Sequence, residues 1–293
     1  MRINHNISAM ITQGSLFRVD RDLSKSLEKL STGLRINRAS DDAAGLGVSE
    51  NLRTQVRGTA QAVRNAQDGI AAVNIAEGAA NEISEVLQRM RELAIQSAND
   101  TLTSVERGYT NVEYRQLITE IDRIAEVTNY NGMKLISSTG TSSGDRFGYG
   151  GANGDGSALW IDANGSVGID SVTVTIDTLT SDQLGAGGVD INSTYLTAQS
   201  SSSQAISVLD TAIDSVNTMR SNMGAFINRM EHAINNLMVS NTNQQAAEST
   251  IRDVDFAQET TKFTRNQILT QSATAMLSQA NMVQQSTLQL LGA

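Results

Sequence analysis

The last 28 residues of the chain, Asn266 to Ala293, carry no charged side chain, yet apolar residues recur there at every seventh position. Leu269, Met276, Val283 and Leu290 form one row, and Ile268, Ala275 and Met282 form the row beside it. Gln, Asn, Ser and Thr fill most of the gaps, so the segment is too polar to span a bilayer. It also lacks the Lys and Glu that solvate an exposed helix face. A helix suited to neither lipid nor water is expected to be covered by protein on several sides. The opposite end is similar. Arg2 is the only charged side chain before Arg18, and Leu16, Leu23 and Leu30 repeat at seven beside Leu27 and Leu34. Two ends of this kind predict self-assembly, with Leu23, Leu27, Leu30, Leu34, Leu269, Met276, Val283 and Leu290 at its core.

The rest of the composition points to helices. The chain is 39% hydrophobic but only 4% aromatic, so its apolar mass is Ala, Leu, Ile, Val and Met, the residues of narrow helix–helix seams. Proline is absent, which leaves long helices uninterrupted, since an interior Pro costs roughly 3 kcal/mol. The absence of cysteine excludes disulfides and thiolate metal sites in any compartment. The net charge of −9 comes without a basic stripe, which argues against nucleic-acid binding. No run of 18 apolar residues occurs, so no membrane insertion is expected. No charged n-region followed by an apolar h-region opens the chain, so export would take a route other than a cleaved signal.

Four zones follow from periodicity. Residues 1 to about 40 read as an amphipathic helix, ended by the turn-like run Asn37 to Asp42, in which Ser40 or Asp41 is placed to cap the next helix. In residues 43–129 the steps of three and four from Val63 through Ala66, Val73, Ala80, Leu87 and Ala94 make a coiled-coil seam. Asn99-Asp100 breaks it, and a shorter helix starts at Ser104-Val105-Glu106. Residues 130–200 hold 13 of the 23 glycines and, from 140 on, seven Asp against one Arg. Asn131-Gly132 is a hairpin signal, and Val172, Val174 and Ile176 alternate with Thr as a half-buried strand would. Helix then returns, with Ile206, Leu209, Ile213, Val216, Met223, Ile227 and Met230 in step and Met219 or Arg220 filling the gap. The expected fold is mainly α: a long antiparallel coiled-coil helix bundle with a small β-hairpin/β insertion in the middle of the chain. Its parts are a terminal-helix domain (1–42 and 252–293), a helical domain (43–137 and 204–251, hairpin near 130–137) and a short β/loop surface insertion (138–203).

Catalytic signals are weak. His5 and His232 stand far apart without partners at metal spacing, and no G-x-S-x-G elbow or phosphate loop occurs. Arg35 and Arg38 lie just upstream of Asp41-Asp42, so ion pairing and capping suit that carboxylate pair better than acid–base work. The Gly-rich run 148–156 lacks a strand before it and a helix after it, and so reads as loop. No enzyme activity, metal or cofactor is expected.

These residues also carry a resemblance. Ile3-Asn4-His5-Asn6, Leu30-Ser31-Thr32-Gly33-Leu34-Arg35-Ile36-Asn37, Asp41-Asp42-Ala43-Ala44-Gly45-Leu46 and Leu87 to Gln96 resemble the opening of bacterial flagellin. Ile251-Arg252-Asp253-Val254-Asp255-Phe256-Ala257, Ile268 to Gln271 and Ala275 to Asn281 resemble its closing stretch, giving coverage of about 1–137 and 204–293. The resemblance implies a subunit that polymerises into the extracellular flagellar filament used for swimming motility, a homopolymer exported unfolded through the flagellar type III apparatus. It implies an inner tube made by the terminal helices and an outer tube made by the helical domain. It further implies an export chaperone bound through about 252–293, a filament cap, hook-junction proteins, and recognition by a vertebrate innate immune receptor through Arg89, Leu93 and Glu113. The alternatives are a hook–filament junction protein, which shares such terminal helices, and a secreted helical adhesin with the acidic loops at its tip. A zinc protease in the insertion is disfavoured because no histidine lies between Tyr130 and Ser203.

Overall fold

The computed structural model describes residues 5–137, 147–148, 157–162, 170–186 and 189–291, with only the backbone described at 284 and 287–291. Five helices carry the architecture: α1 (Ile7–Thr32), α2 (Ala43–Ala98), α3 (Ser104–Val127), α4 (Gln199–Arg252) and α5 (Phe256–Leu291). Between α3 and α4 lie three antiparallel two-stranded ladders: β1 (Asn129–Tyr130) with β2 (Met133–Lys134), β3 (Ser157–Trp160) with β4 (Ser171–Val174), and β5 (Gly185–Ala186) with β6 (Val189–Asp190). The expected mainly α bundle with a small β insertion is what the chain adopts. Most of the Gly-rich run 148–156 lies outside the described residues, as does the side chain of Leu290.

Helix boundaries follow local chemistry. α1 ends on Gly33, whose φ of +73° is the left-handed cap position that glycine occupies without Cβ strain; its N–H donates to Lys29 O. α3 begins with a reciprocal capping box between Thr103 and Glu106, a device worth about 1 kcal/mol. The Arg107 guanidinium reaches back to the carbonyls of Ser97 and Asn99 at the end of α2. Asn131 (φ +52°) and Gly132 (φ +82°) form the two-residue hairpin turn between β1 and β2.

The turn at 37–42 differs from expectation. Neither Ser40 nor Asp41 caps α2. Asp42 does, its carboxylate accepting from the Gly45 N–H at 2.8 Å, while Asp41 accepts from the N–H groups of Asn37 and Arg38 and so closes the turn. Nor do Arg35 and Arg38 pair with these carboxylates: Arg38 bonds Glu28, and Arg35 reaches the Ile251 carbonyl. Asp41 is more useful to the backbone, because two N–H groups there have no helical partner.

The chain divides into two compact units, residues 1–56 with 242–293, and residues 57–241. Within the second, α2 and α4 run antiparallel, fixed by Glu77–Arg220 at 2.9 Å and by Arg91 with Asp210. Their buried seam is small where the backbones approach (Ala66, Ala76, Ala80, Ala212) and larger between (Ile83, Leu87, Met90, Val216). Met219 fills the core position and Arg220 takes the ion pair. α3 adds Tyr114, Ile118, Ile121 and Ala125 to the same core. The described part of the insertion contributes apolar side chains to the same core. Val172, Val174, Ile176, Leu179, Leu184, Ile191 and Leu196 are all buried in that core, and Leu159 sits over Gly69 of α2, where an added Cβ would lie 2.4 Å from it.

Candidate functional site

Within the first unit, α1 and α5 pack against each other along their length. Asn6 Nδ2 donates to Ala280 O at 3.0 Å, Thr270 lies by Asp20, and Ser26 meets Glu259, so the pair is antiparallel. The covered side of α5 runs Glu259, Phe263, Asn266, Thr270, Ala273, Leu277 and Ala280, in alternating steps of four and three. On α1 the matching row is Ala9, Thr12, Leu16, Val19, Leu23, Ser26 and Leu30. Both rows mix apolar with small or polar residues and make a narrow seam.

The apolar rows picked out by periodicity lie elsewhere. Leu269, Met276 and Val283 are exposed, as are Ile268 and Met282, with Met276 at 61% and Val283 at 54% of full accessibility. On α1, Ile7, Met10, Ile11, Phe17 and Leu27 are exposed too, whereas Leu23 and Leu30 are half-buried against α5 and Leu34 sits in the link to Asp253. One chain therefore covers a mixed seam and leaves a second set of large apolar side chains on the outside. Monomeric proteins rarely present so much contiguous apolar surface without a partner for it. Periodicity located the rows; it could not tell a seam inside one chain from a seam between chains.

The hydroxyls of α5 suit that surface. Thr260, Thr261, Thr264 and Thr270 donate to the carbonyls four residues back, at 2.7 to 3.0 Å, and Thr274 and Ser286 to those three back. Their donors are satisfied within the helix, so covering them with another protein strands no proton donor. These hydroxyls can thus enter a contact from which water is excluded.

The charged residues gather where α1 and α4 end. Arg252 donates to Glu50 at 2.7 Å, and that hydrogen bond first, helped by the charges of Arg252 and Arg53, holds the Glu50 carboxyl below the usual glutamate range despite some desolvation. Glu259 is buried, which pushes its carboxyl up. Hydrogen bonds from Ser26 and Lys262, with the charge of Lys29, outweigh that, and the net direction is down. Asp255 caps α5, accepting from the N–H groups of Ala257 and Gln258. No group of three or more His, Asp or Glu fit for a metal exists among the described residues, and His5 and His232 are exposed.

Arg89, Leu93 and Glu113 belong to the second unit. The Arg89 guanidinium bonds Glu113 at 2.8 Å and Glu92 at 3.0 Å, and those hydrogen bonds, Glu113 first, raise its affinity for its proton. Leu93 is 2% exposed and belongs to the core. The structure brings the two charged residues together at the surface and leaves the leucine beneath.

Comparison with known proteins agrees with this architecture. Residues 3–141 match the bacterial flagellin N-terminal helical region, and residues 206–291 match the C-terminal helical region. Over 99% of this chain and the whole length of each relative, the sequence is 44% identical to a flagellar filament 33 kDa core protein of Treponema phagedenis. Over the same shares it is 43% identical to a flagellin of Halalkalibacterium halodurans. A solved structure from Vibrio parahaemolyticus, described as a flagellar hook-associated protein, aligns over 73% of this chain and all of its own with a TM-score of 0.58; at 16% identity it shares the fold alone.

Proposed function

The chain belongs to the bacterial flagellin family and is a structural subunit of the flagellar filament, and we propose that the exposed apolar rows of α1 and α5 are the surfaces by which its copies join. The observation that carries this reading is the inverted packing of the terminal pair. Leu269, Met276 and Val283 face outward while α5 turns Asn266, Thr270, Ala273 and Ala280, with Phe263 and Leu277, toward α1. Copies laid side by side would cover those rows and complete the burial that a single pair lacks. The terminal helices (1–42 and 252–293) then form the inner wall of the filament and the helical domain (43–137 and 204–251) its outer wall, with 138–203 toward the surface. We assign to the same subunit export in the unfolded state, delivery by a chaperone that holds 252–293, addition beneath a cap on a hook-junction base, and service in swimming. No helix among the described residues is long and apolar enough to cross a membrane. Purified protein brought to high concentration, with sheared filament ends as seeds, should give long filaments by electron microscopy. Short rings would favour the junction reading, and persistent monomer would contradict assembly.

Filaments should also respond to acid. The folded Glu259 carboxyl lies below the ordinary value of 4.5, so its contribution is present above that pH and is lost as the pH falls through the lower folded value. Sedimentation of filaments over that range should show dissociation, and Glu259→Gln should flatten the dependence. An unchanged acid profile in that variant would remove Glu259 from the account.

For the immune receptor, the Arg89–Glu113 pair is the accessible part of the proposed contact, with Leu93 supporting it from within. Reporter cells that ignore pure monomer would reject this contact.

A further inference from the structure

The ends of α1 and α4 are tied by four bonds in a space of a few residues. Leu34 and Asp253 form an isolated antiparallel bridge, in which the Val254 N–H donates to Gly33 O at 3.0 Å and the Arg35 N–H donates to Arg252 O at 2.6 Å. The Arg35 guanidinium adds two bonds to the Ile251 carbonyl, from Nε at 3.1 Å and Nη2 at 2.6 Å. A cation on the last turn of α4 also meets the negative end of that helix. We propose that this knot is a register clamp: it fixes which residues of α1 face which residues of α5, with Arg35 as its positioning residue. The proposal rests on the reading that the outward rows of these helices are assembly surfaces.

The two rows of the α1–α5 seam repeat every seven residues and mix small, polar and apolar side chains. A slip by one heptad would move the helices about 10 Å along each other and again set these two mixed rows against each other. In the native register Ser26 faces Glu259 and Asn6 faces Ala280, which puts Thr12 near Ala273; after a slip Thr12 would lie near Ala280. The contacts of Asn6 and Glu259 favour the native register, but each depends on a single side chain. The clamp is different because it allows no slack. Gly33 directly follows α1, and Val254 stands two residues before α5, so a slipped pair would have to break both backbone bonds. Register in turn decides where Leu269, Met276 and Val283 stand relative to Met10, Phe17 and Leu27, and therefore what a neighbouring copy meets.

The chain has no cysteine, so introduced pairs report cleanly. Thr12→Cys with Ala273→Cys reads the native register, and Thr12→Cys with Ala280→Cys reads the slipped one. Each pair is oxidised within filaments formed by doping the variant into excess unmodified protein, so that filaments form whatever the variant does alone. Arg35→Ala should lower the native-to-slipped disulfide ratio about tenfold, the effect of losing a charge-assisted hydrogen bond. Arg35→Lys, which keeps the cation but not the fork, should fall between. A residue that only stabilised the fold would change how much variant enters the filament and leave the ratio alone. An unchanged ratio in Arg35→Ala overturns the clamp and leaves assembly standing, whereas failure of the unmodified protein to form filaments would overturn both.

Discussion

Val283→Asp should leave the subunit folded and abolish its assembly. The side chain is more than half exposed in the single chain, so an aspartate there meets water and disturbs no packing. In the filament the same position is proposed to lie in a contact free of charge, because no Lys or Arg occurs anywhere from Asn266 onward to neutralise it. Burying an unpaired carboxylate costs on the order of 3 kcal/mol or more, equivalent to a ~100-fold rise in the concentration needed to polymerise. Met276→Asp, one heptad earlier in the same row, should behave alike. The decisive comparison joins circular dichroism of the monomer, expected to match the parent, with sedimentation after seeding, expected to show no pellet. A variant that pellets like the parent would mean that this row faces solvent in the assembled state.

Much of this was legible in the sequence. Repeats of three and four located the buried seam of α2 and α4, because coiled-coil packing imposes that period on any chain that uses it. Asn131-Gly132 predicted its hairpin because few other pairs accept positive φ twice in succession. The apolar rows of the uncharged ends were also visible, and several of their members are exposed in the single chain. What periodicity left open was which face of α5 meets α1. The native seam uses Asn266, Thr270 and Ala273, residues that look like surface in a one-dimensional reading, while Leu269 and Met276 look like core. In the single chain those apolar residues are exposed, and the partner proposed for them is another copy. The cap at Asp42 was missed for a related reason, since Ser40, Asp41 and Asp42 are all competent caps and the local backbone path chooses among them. Long-range bonds such as Arg35 to the Ile251 carbonyl left no trace in spacing, since the partner is a backbone atom that any residue supplies.

The packing of the terminal pair also sets how firmly it is held. A narrow, mixed seam whose apolar side chains are only half-buried covers little apolar surface, and conformational entropy opposes ordering long helices on so little. In dilute monomer, α1 and α5 should therefore open readily, while the core of Ile83, Leu87, Met90 and Ile121 stays closed. With the cover proposed for the outward rows in a filament, the same helices should become as closed as that core.

Hydrogen exchange read amide by amide across Phe256 to Val283, in dilute monomer and in filament, tests this most directly. Complete cover by neighbouring copies should slow exchange there by a factor on the order of 10³ or more, ~4 kcal/mol of added protection, while α2 amides between Val73 and Met90 stay nearly unchanged. Equal and strong protection of α5 in both states would show that a single chain already satisfies its uncharged ends, and would contradict the proposal that they are completed by copies of itself.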